Sequence, residues 1–214
     1  MPIFPTIVIV PGAWHSPEFF NSVISILEPL GYKCVTISMP GVGGSPPVDS
    51  LDEDIAAVRT VVMKELETGN DAIIHAHSWG GIPVNSALDG LSKAERDNDG
   101  KKGAVVKLTF VSSFVLPENT SLLDLGEGVA PDFWDIQEDG NLWLKDMKGR
   151  LYHDLNPKEQ QYWLSTLKPQ SIKGSLPTAF PSSSKLPHVQ QEIVTSSEID
   201  ILSRFTPRLR EKKY

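Results

Sequence analysis

Asp71-Ala72-Ile73-Ile74-His75-Ala76-His77-Ser78-Trp79-Gly80-Gly81 decides how this chain is read. It is a short apolar run ending in a serine, and the residues two before and two after that serine, Ala76 and Gly80, have almost no side chain. A serine at the top of a strand can project its hydroxyl only if the backbone turns abruptly into a helix, and the crowding in such an elbow admits only small neighbours. The pattern predicts a strand, an elbow at Ser78 and a helix over 80–91. Ala76 stands where glycine is more usual. Ser78 is the candidate nucleophile.

Strand and helix signals alternate on both sides of this segment. Thr6–Val10 is a β-branched strand, and Pro11-Gly12-Ala13-Trp14-His15-Ser16-Pro17 is turn chemistry leading into a helix from residue 18. Phe19, Phe20, Val23, Ile24, Ile26, Leu27 and Leu30 supply the helix's apolar stripe, and Gly31 stops it. Residues 33–38 read as a second strand, 40–47 as a loop rich in breakers, and 50–67 as a helix with Asp52, Glu53 and Asp54 in its first turn. A charged loop over 92–103 precedes another strand, Val105–Val111. Such alternation implies right-handed crossovers and a mostly parallel, doubly wound α/β sheet whose working loops lie at the carboxyl ends of the strands. Ser78 then sits beside the loop that follows the first strand.

From residue 112 to about 176 the pattern changes to short helical pieces carrying Phe133, Trp134, Trp143, Tyr152, Tyr162 and Trp163. A second domain would need its own core, so the expectation is a helical cap laid over the catalytic edge. The 214 residues thus make one domain: a core over 1–111, a cap over 112–176 and a divergent tail over 177–214. With 40% hydrophobic and 22% charged residues the composition is that of a soluble globular protein. The net charge of −7 disfavours a nucleic-acid groove, since the basic clusters at Lys101-Lys102 and 208–213 are short. A single cysteine, Cys34, excludes an internal disulfide and fits a reducing compartment. The N-terminus reads as a first strand rather than a signal peptide, and no run approaches the roughly 18 apolar residues of a membrane span. A cytoplasmic protein with a small-molecule substrate and no membrane partner is expected.

Acyl transfer develops negative charge on a carbonyl oxygen, and two backbone N–H groups must await it. One belongs to the residue after the nucleophile, Trp79, and the other comes from the loop after the first strand, where geometry favours Ala13. His15 in that loop either contacts substrate or packs. No paired His or Cys spacing suggests a metal. Gly41, Gly43 and Gly44 lack the third glycine of a dinucleotide loop and run into prolines, so no cofactor is expected.

Four segments together, Val10-Pro11-Gly12-Ala13-Trp14-His15, Gly41-Val42-Gly43-Gly44-Ser45, His77-Ser78-Trp79-Gly80-Gly81 and Phe114-Val115-Leu116-Pro117-Glu118, resemble the short α/β-hydrolases of filamentous fungi. These are similar in turn to plant methylesterases and hydroxynitrile lyases. The resemblance extends through the cap, including Leu151-Tyr152-His153-Asp154-Leu155 and Pro169-Gln170-Ser171. It implies an α/β-hydrolase fold with Ser78 as nucleophile, Ala13 and Trp79 as the oxyanion hole, and the region after Val111 as a lid.

The likeness stops near residue 176. There the family continues with a strand ending in a catalytic aspartate, a second ending in Gly-His-Ser, and a closing helix. The tail shows no β-branched run, so these strands read as missing or degenerate, and the catalytic acid and base do not carry over. On this fold the acid and then the histidine follow the serine. Only His153 and His188 lie beyond Ser78. His153 reads as a solvated cap residue, whereas His188 has the right chain order but no strand before it; His188 is the candidate base. His75 reads as packed or at the surface, and strand alternation turns His77 away from the nucleophile.

The expected function is a serine hydrolase acting on a small, fairly apolar ester, lactone or thioester, in fungal secondary metabolism by the resemblance. The alternative is a catalytically inactive or truncated relative that binds a ligand or partner. A lyase is a third reading. If the tail adds no strand, the sheet ends at Val105–Val111, and its open edge offers a route to a homodimer.

Overall fold

The computed structural model describes residues 4–117, 120–175 and 190–194. In chain order its elements are β1 (Thr6–Val10), α1 (Asn21–Leu27), β2 (Cys34–Thr36), α2 (Asp52–Leu66), β3 (Ala72–His77), α3 (Gly81–Ala87), α4 (Lys93–Asn98), β4 (Val105–Val111), β5 (Trp134–Ile136), β6 (Asn141–Leu144), α5 (Met147–Leu151), α6 (Pro157–Thr166), β7 (Gln170–Ser171), α7 (Ile172–Ser175) and β8 (Gln190–Val194). Short 3-10 turns flank α1 and join β3 to α3.

All five residues of β1 are β-branched, which suits a strand buried on both faces. It lies inside a parallel sheet of order β2-β1-β3-β4-β8. Along β3 the period of two is clean: Ala72, Ile74 and Ala76 are buried, while Ile73, His75 and His77 are half-buried. The buried set joins Val58, Val62 and Leu66 of α2 and Ile82 and Val84 of α3 in one core, with Val8, Val10, Leu108 and Phe110 alongside. The opposite face meets Phe20, whose ring packs on both His75 and His77. Burying one such core side chain stabilises the fold by about 1.5–3 kcal/mol.

The chain leaves β1 toward β2 on one side, while β3 lies on the other, in register as Val10↔Ala76. The connections after β1 and β3 therefore diverge at the carboxyl edge, the place where open α/β sheets bind ligands. Residues 11–15 and Ser78 meet there.

Four expectations need correction. Residues 92–103 are not all loop, because Ser92 and Glu95 form a reciprocal capping box that starts α4. The Ser-x-x-Glu signal was in the sequence, and burial of Arg96, whose guanidinium donates to the Gly103 and Lys102 carbonyls, anchors the rest. The lid is not purely helical, since β5, β6 and β7 form a small antiparallel sheet beside α5 and α6. Its β5–β6 hairpin turns at Asp139-Gly140, with Gly140 at φ 86°. The stripe assigned to the first helix is only partly inward, for Val23, Ile26 and Leu30 are exposed while Phe20 is buried.

The fourth correction concerns the tail. The sheet does not end at β4: β8 pairs with it in parallel, from Lys107↔Gln190 to Val111↔Val194. The β4 edge expected to be open carries this strand. A β-branched signal was present at Ile193-Val194, but the polar Gln190-Gln191-Glu192 before it disguised the strand, which main-chain pairing along the β4 edge completes.

Where the lid meets the core, Gly41 and Gly43 are stitched to residues 169–171 by main-chain hydrogen bonds. Asp54, fully buried in the first turn of α2, accepts from the Gly41 N–H at 2.8 Å. Its other oxygen and both amide atoms of the fully buried Gln170 have no hydrogen-bond partner among the described residues. Burial pushes the Asp54 carboxyl up from 3.8 to about 6. Between about pH 4 and 6 the folded protein holds a proton that the unfolded chain has lost, so stability falls over that window and levels off above it. Asp54→Asn keeps the acceptor for Gly41 and removes the buried charge. It is expected to raise stability at pH 7.5 by roughly 1–2 kcal/mol and to flatten the pH dependence, read from urea denaturation at pH 4.5 and 7.5. Equal stabilities at the two pH values in the parent would refute this account.

Candidate active site

Ser78 follows β3 directly and has φ 52°, in the left-handed region that non-glycine residues avoid. Such a conformation costs of order 1–3 kcal/mol and persists only where the surroundings impose it. Here the Ser78 carbonyl accepts from Ser113 Oγ at 2.7 Å and from the Phe114 N–H at 3.2 Å, both in the segment after β4. Three glycines make room for the turn. A β-carbon on Gly12 would lie 2.9 Å from Ser78 Cβ, one on Gly80 would strike the Pro11 carbonyl and approach the Val10 carbonyl at 2.7 Å, and one on Gly81 would strike the Phe114 carbonyl and Ser113 Oγ. Residues 10–12 and 113–114 therefore press the elbow from two sides.

The loop after β1 is a second strained turn. The His15 N–H closes it onto the Gly12 carbonyl at 3.4 Å, and Trp14, its third residue, has φ 65°, a position that glycine ordinarily fills. Lid groups hold it there: the Lys168 N–H donates to the Trp14 carbonyl at 3.0 Å and Trp14 Nε1 donates to the Leu142 carbonyl at 2.7 Å. Ala13 is buried, and Trp79 is buried beyond the elbow with its side chain in the core. The residues expected to form an oxyanion hole thus belong to segments that adjoin Ser78.

Three histidines cluster near the elbow. His15 Nδ1 lies 2.7 Å from the Ala13 carbonyl and Nε2 lies 2.8 Å from the Tyr152 hydroxyl. A carbonyl can only accept, so Nδ1 carries the hydrogen and Nε2 accepts from Tyr152. Burial lowers His15, and burial with the neighbouring His15 and His75 brings His77 down to about 4. His75, also lowered by burial, bonds Thr109 Oγ1 at 2.9 Å. All three are neutral at pH 7. His77 Nδ1 is buried with no partner among the described residues, and its ring lies against Phe19 and Phe20.

His153 is exposed on the turn after α5. His188 lies outside the described residues. Gln190 opens β8 level with Lys107 and Ile73, about 16 Å along the strand direction from Ser78. Val194, the last residue of β8, is level with His77. Tyr152 and Ser113 are the polar groups that sequence reasoning missed. Nothing local marks them, because each acts on a segment far away in the chain.

The profile of the alpha/beta hydrolase family matches residues 7–206. An α/β hydrolase of Aspergillus novofumigatus is 34% identical over 172 residues, which cover 78% of this chain and 68% of that protein. Among solved structures, tomato methylketone synthase I complexed with 2-tridecanone superposes with a TM-score of 0.71 at 14% identity, over 94% of this chain and 82% of that one. A methylesterase from Arabidopsis gives 0.65 at 15% identity, over 96% and 87%. At these identities the two structures speak to the fold alone. Together with the parallel sheet, the strand order and the family match over nearly the whole chain, they lead to one conclusion: this chain belongs to the α/β hydrolase family.

Proposed function

We propose that this protein is a serine hydrolase that uses Ser78 to cleave a small, fairly apolar ester, lactone or thioester. The observation that carries the reading is the left-handed turn at Ser78, wedged between Gly12 and the 113–114 segment. Strain of this kind needs a reason, and exposing a hydroxyl at a strand-to-helix elbow supplies one. In this reading Ser78 Oγ attacks the carbonyl carbon and its proton passes to a base. The tetrahedral oxyanion then takes hydrogen bonds from the Trp79 and Ala13 N–H groups, the leaving group departs, and water releases the acyl group. The preference for an apolar substrate is supported by Phe19, which meets both His77 and the lid residue Trp163. No metal or cofactor enters this scheme. A role in fungal secondary metabolism is proposed from the resemblance, and a cytoplasmic location from the single cysteine. No helix among the described residues is long and apolar enough to cross a membrane.

His188 is proposed as the base from chain order alone, and the place of Gln190, two residues on and about 16 Å along the strand direction from Ser78, counts against it. A second reading, a binding protein without efficient turnover, is favoured by the commitments of the buried histidines: His15 is bonded on both nitrogens, and His75 is held by Thr109. A fluorophosphonate probe distinguishes the two. Wild-type protein is expected to gain one adduct, located by peptide mass mapping on the fragment containing Ser78. No adduct, or one elsewhere, would remove the serine mechanism.

A further inference from the structure

We propose that Tyr152 and His15 form a positioning relay through which the lid sets the oxyanion loop, a proposal that rests on the serine-hydrolase reading above. Tyr152 caps α5 in the lid, and its hydroxyl donates to His15 Nε2 at 2.8 Å. His15 Nδ1 in turn donates to the Ala13 carbonyl at 2.7 Å. Tyr152 is held as well, since Gln160 of α6 donates to its carbonyl at 2.7 Å. Both rings are buried.

The Ala13 carbonyl belongs to the central peptide of the Gly12–His15 turn. Rotating that peptide is what would let Trp14 leave its left-handed conformation. The bond fixes the Ala13–Trp14 peptide and so the ψ of Ala13, which limits how the adjoining Gly12–Ala13 peptide and its N–H can turn, and it requires His15 to be the Nδ1–H tautomer. The Ala13 carbonyl, which can only accept, selects this tautomer, and the Tyr152 hydroxyl satisfies the Nε2 acceptor that results and holds the ring in place. Burial pushes Tyr152 up to about 12, so it stays a donor at every working pH. Neither side chain needs to touch substrate. They act on the loop, while the Lys168 and Leu142 bonds to Trp14 hold its other end.

A purely structural role would lower stability and leave the kinetics of the folded fraction alone. The full-length chain should be compared with Tyr152→Phe, His15→Asn and His15→Leu, using p-nitrophenyl acetate turnover and the rate of fluorophosphonate labelling at Ser78. Tyr152→Phe is expected to lower kcat about ten-fold with KM unchanged, and His15→Leu about 100-fold, since losing alignment of one oxyanion donor approaches loss of the donor itself. His15→Asn retains an N–H that can reach the Ala13 carbonyl, and it should recover kcat to within about ten-fold of wild type. Tyr152→Phe removes one hydroxyl and keeps the ring, so it remains informative if His15→Leu does not fold. Labelling and turnover within about two-fold of wild type in both Tyr152→Phe and His15→Leu would overturn the relay alone. Absence of labelling in wild type would overturn the hydrolase reading, and the relay with it.

Discussion

Replacing Ser78 by alanine is expected to lower kcat/KM toward p-nitrophenyl acetate by on the order of 10⁴-fold, about 5 kcal/mol of transition-state stabilisation. The loss is large because the serine supplies the covalent step. The residue that remains could only position substrate under the Ala13 and Trp79 N–H groups, which leaves modest catalysis over water. Stability should change little. Alanine inherits the same left-handed backbone at φ 52°, and the bonds from Ser113 and Phe114 go to the carbonyl of residue 78, not to its side chain. A fall of less than ten-fold, with an unchanged melting curve, would show that Ser78 does not carry the reaction. The pH profile adds a second check. His77 titrates near 4, and burial holds His15 and His75 below the ordinary imidazole value. A rate that rises with an apparent pKa near 6.5 would therefore not report His77. His188→Ala abolishing that rise, with the fold intact, would identify it as the base.

The second large effect concerns the elbow's walls. Gly80→Ala is expected to destabilise the protein by about 3 kcal/mol, or roughly 6–12 °C in Tm for a chain of this size. The added β-carbon would meet the carbonyls of Pro11 and Val10, which are backbone atoms at the end of β1 and cannot rotate away. Relief would require the elbow to move off the sheet edge, carrying Ser78 away from Gly12. Ser78 labelling should therefore slow by more than the fraction unfolded explains. Gly90 offers the control, since a β-carbon there meets nothing within 4 Å, although its positive φ adds some strain of its own. If Gly80→Ala melts within about 2 °C of wild type, the tight contact between elbow and β1 is not a constraint on this fold.

The elbow illustrates why some features were legible in advance. Small residues around Ser78, the β-branched β1 and the Gly31 helix stop act within a few residues of themselves, so their meaning survives without the rest of the chain. Even the Ser92–Glu95 capping box was available, though the surrounding charge disguised it as loop. The lid hairpin at Asp139-Gly140 was likewise local but hidden by the aromatic content around it.

The sequence by itself determined the α/β alternation, the place of Ser78 at a strand-to-helix turn, and the neighbourhood of the loop after β1, because periodicity, turn chemistry and chain handedness are short-range constraints. Only the tertiary structure decided that Gln190–Val194 lines the outer side of β4, that Trp14 is tied to Leu142 across 128 residues, and that His15 meets Tyr152 across 137. Those pairings depend on which buried donors and acceptors are left unmatched once the sheet and lid have packed. No window of sequence contains both partners, so their choice belongs to the whole fold.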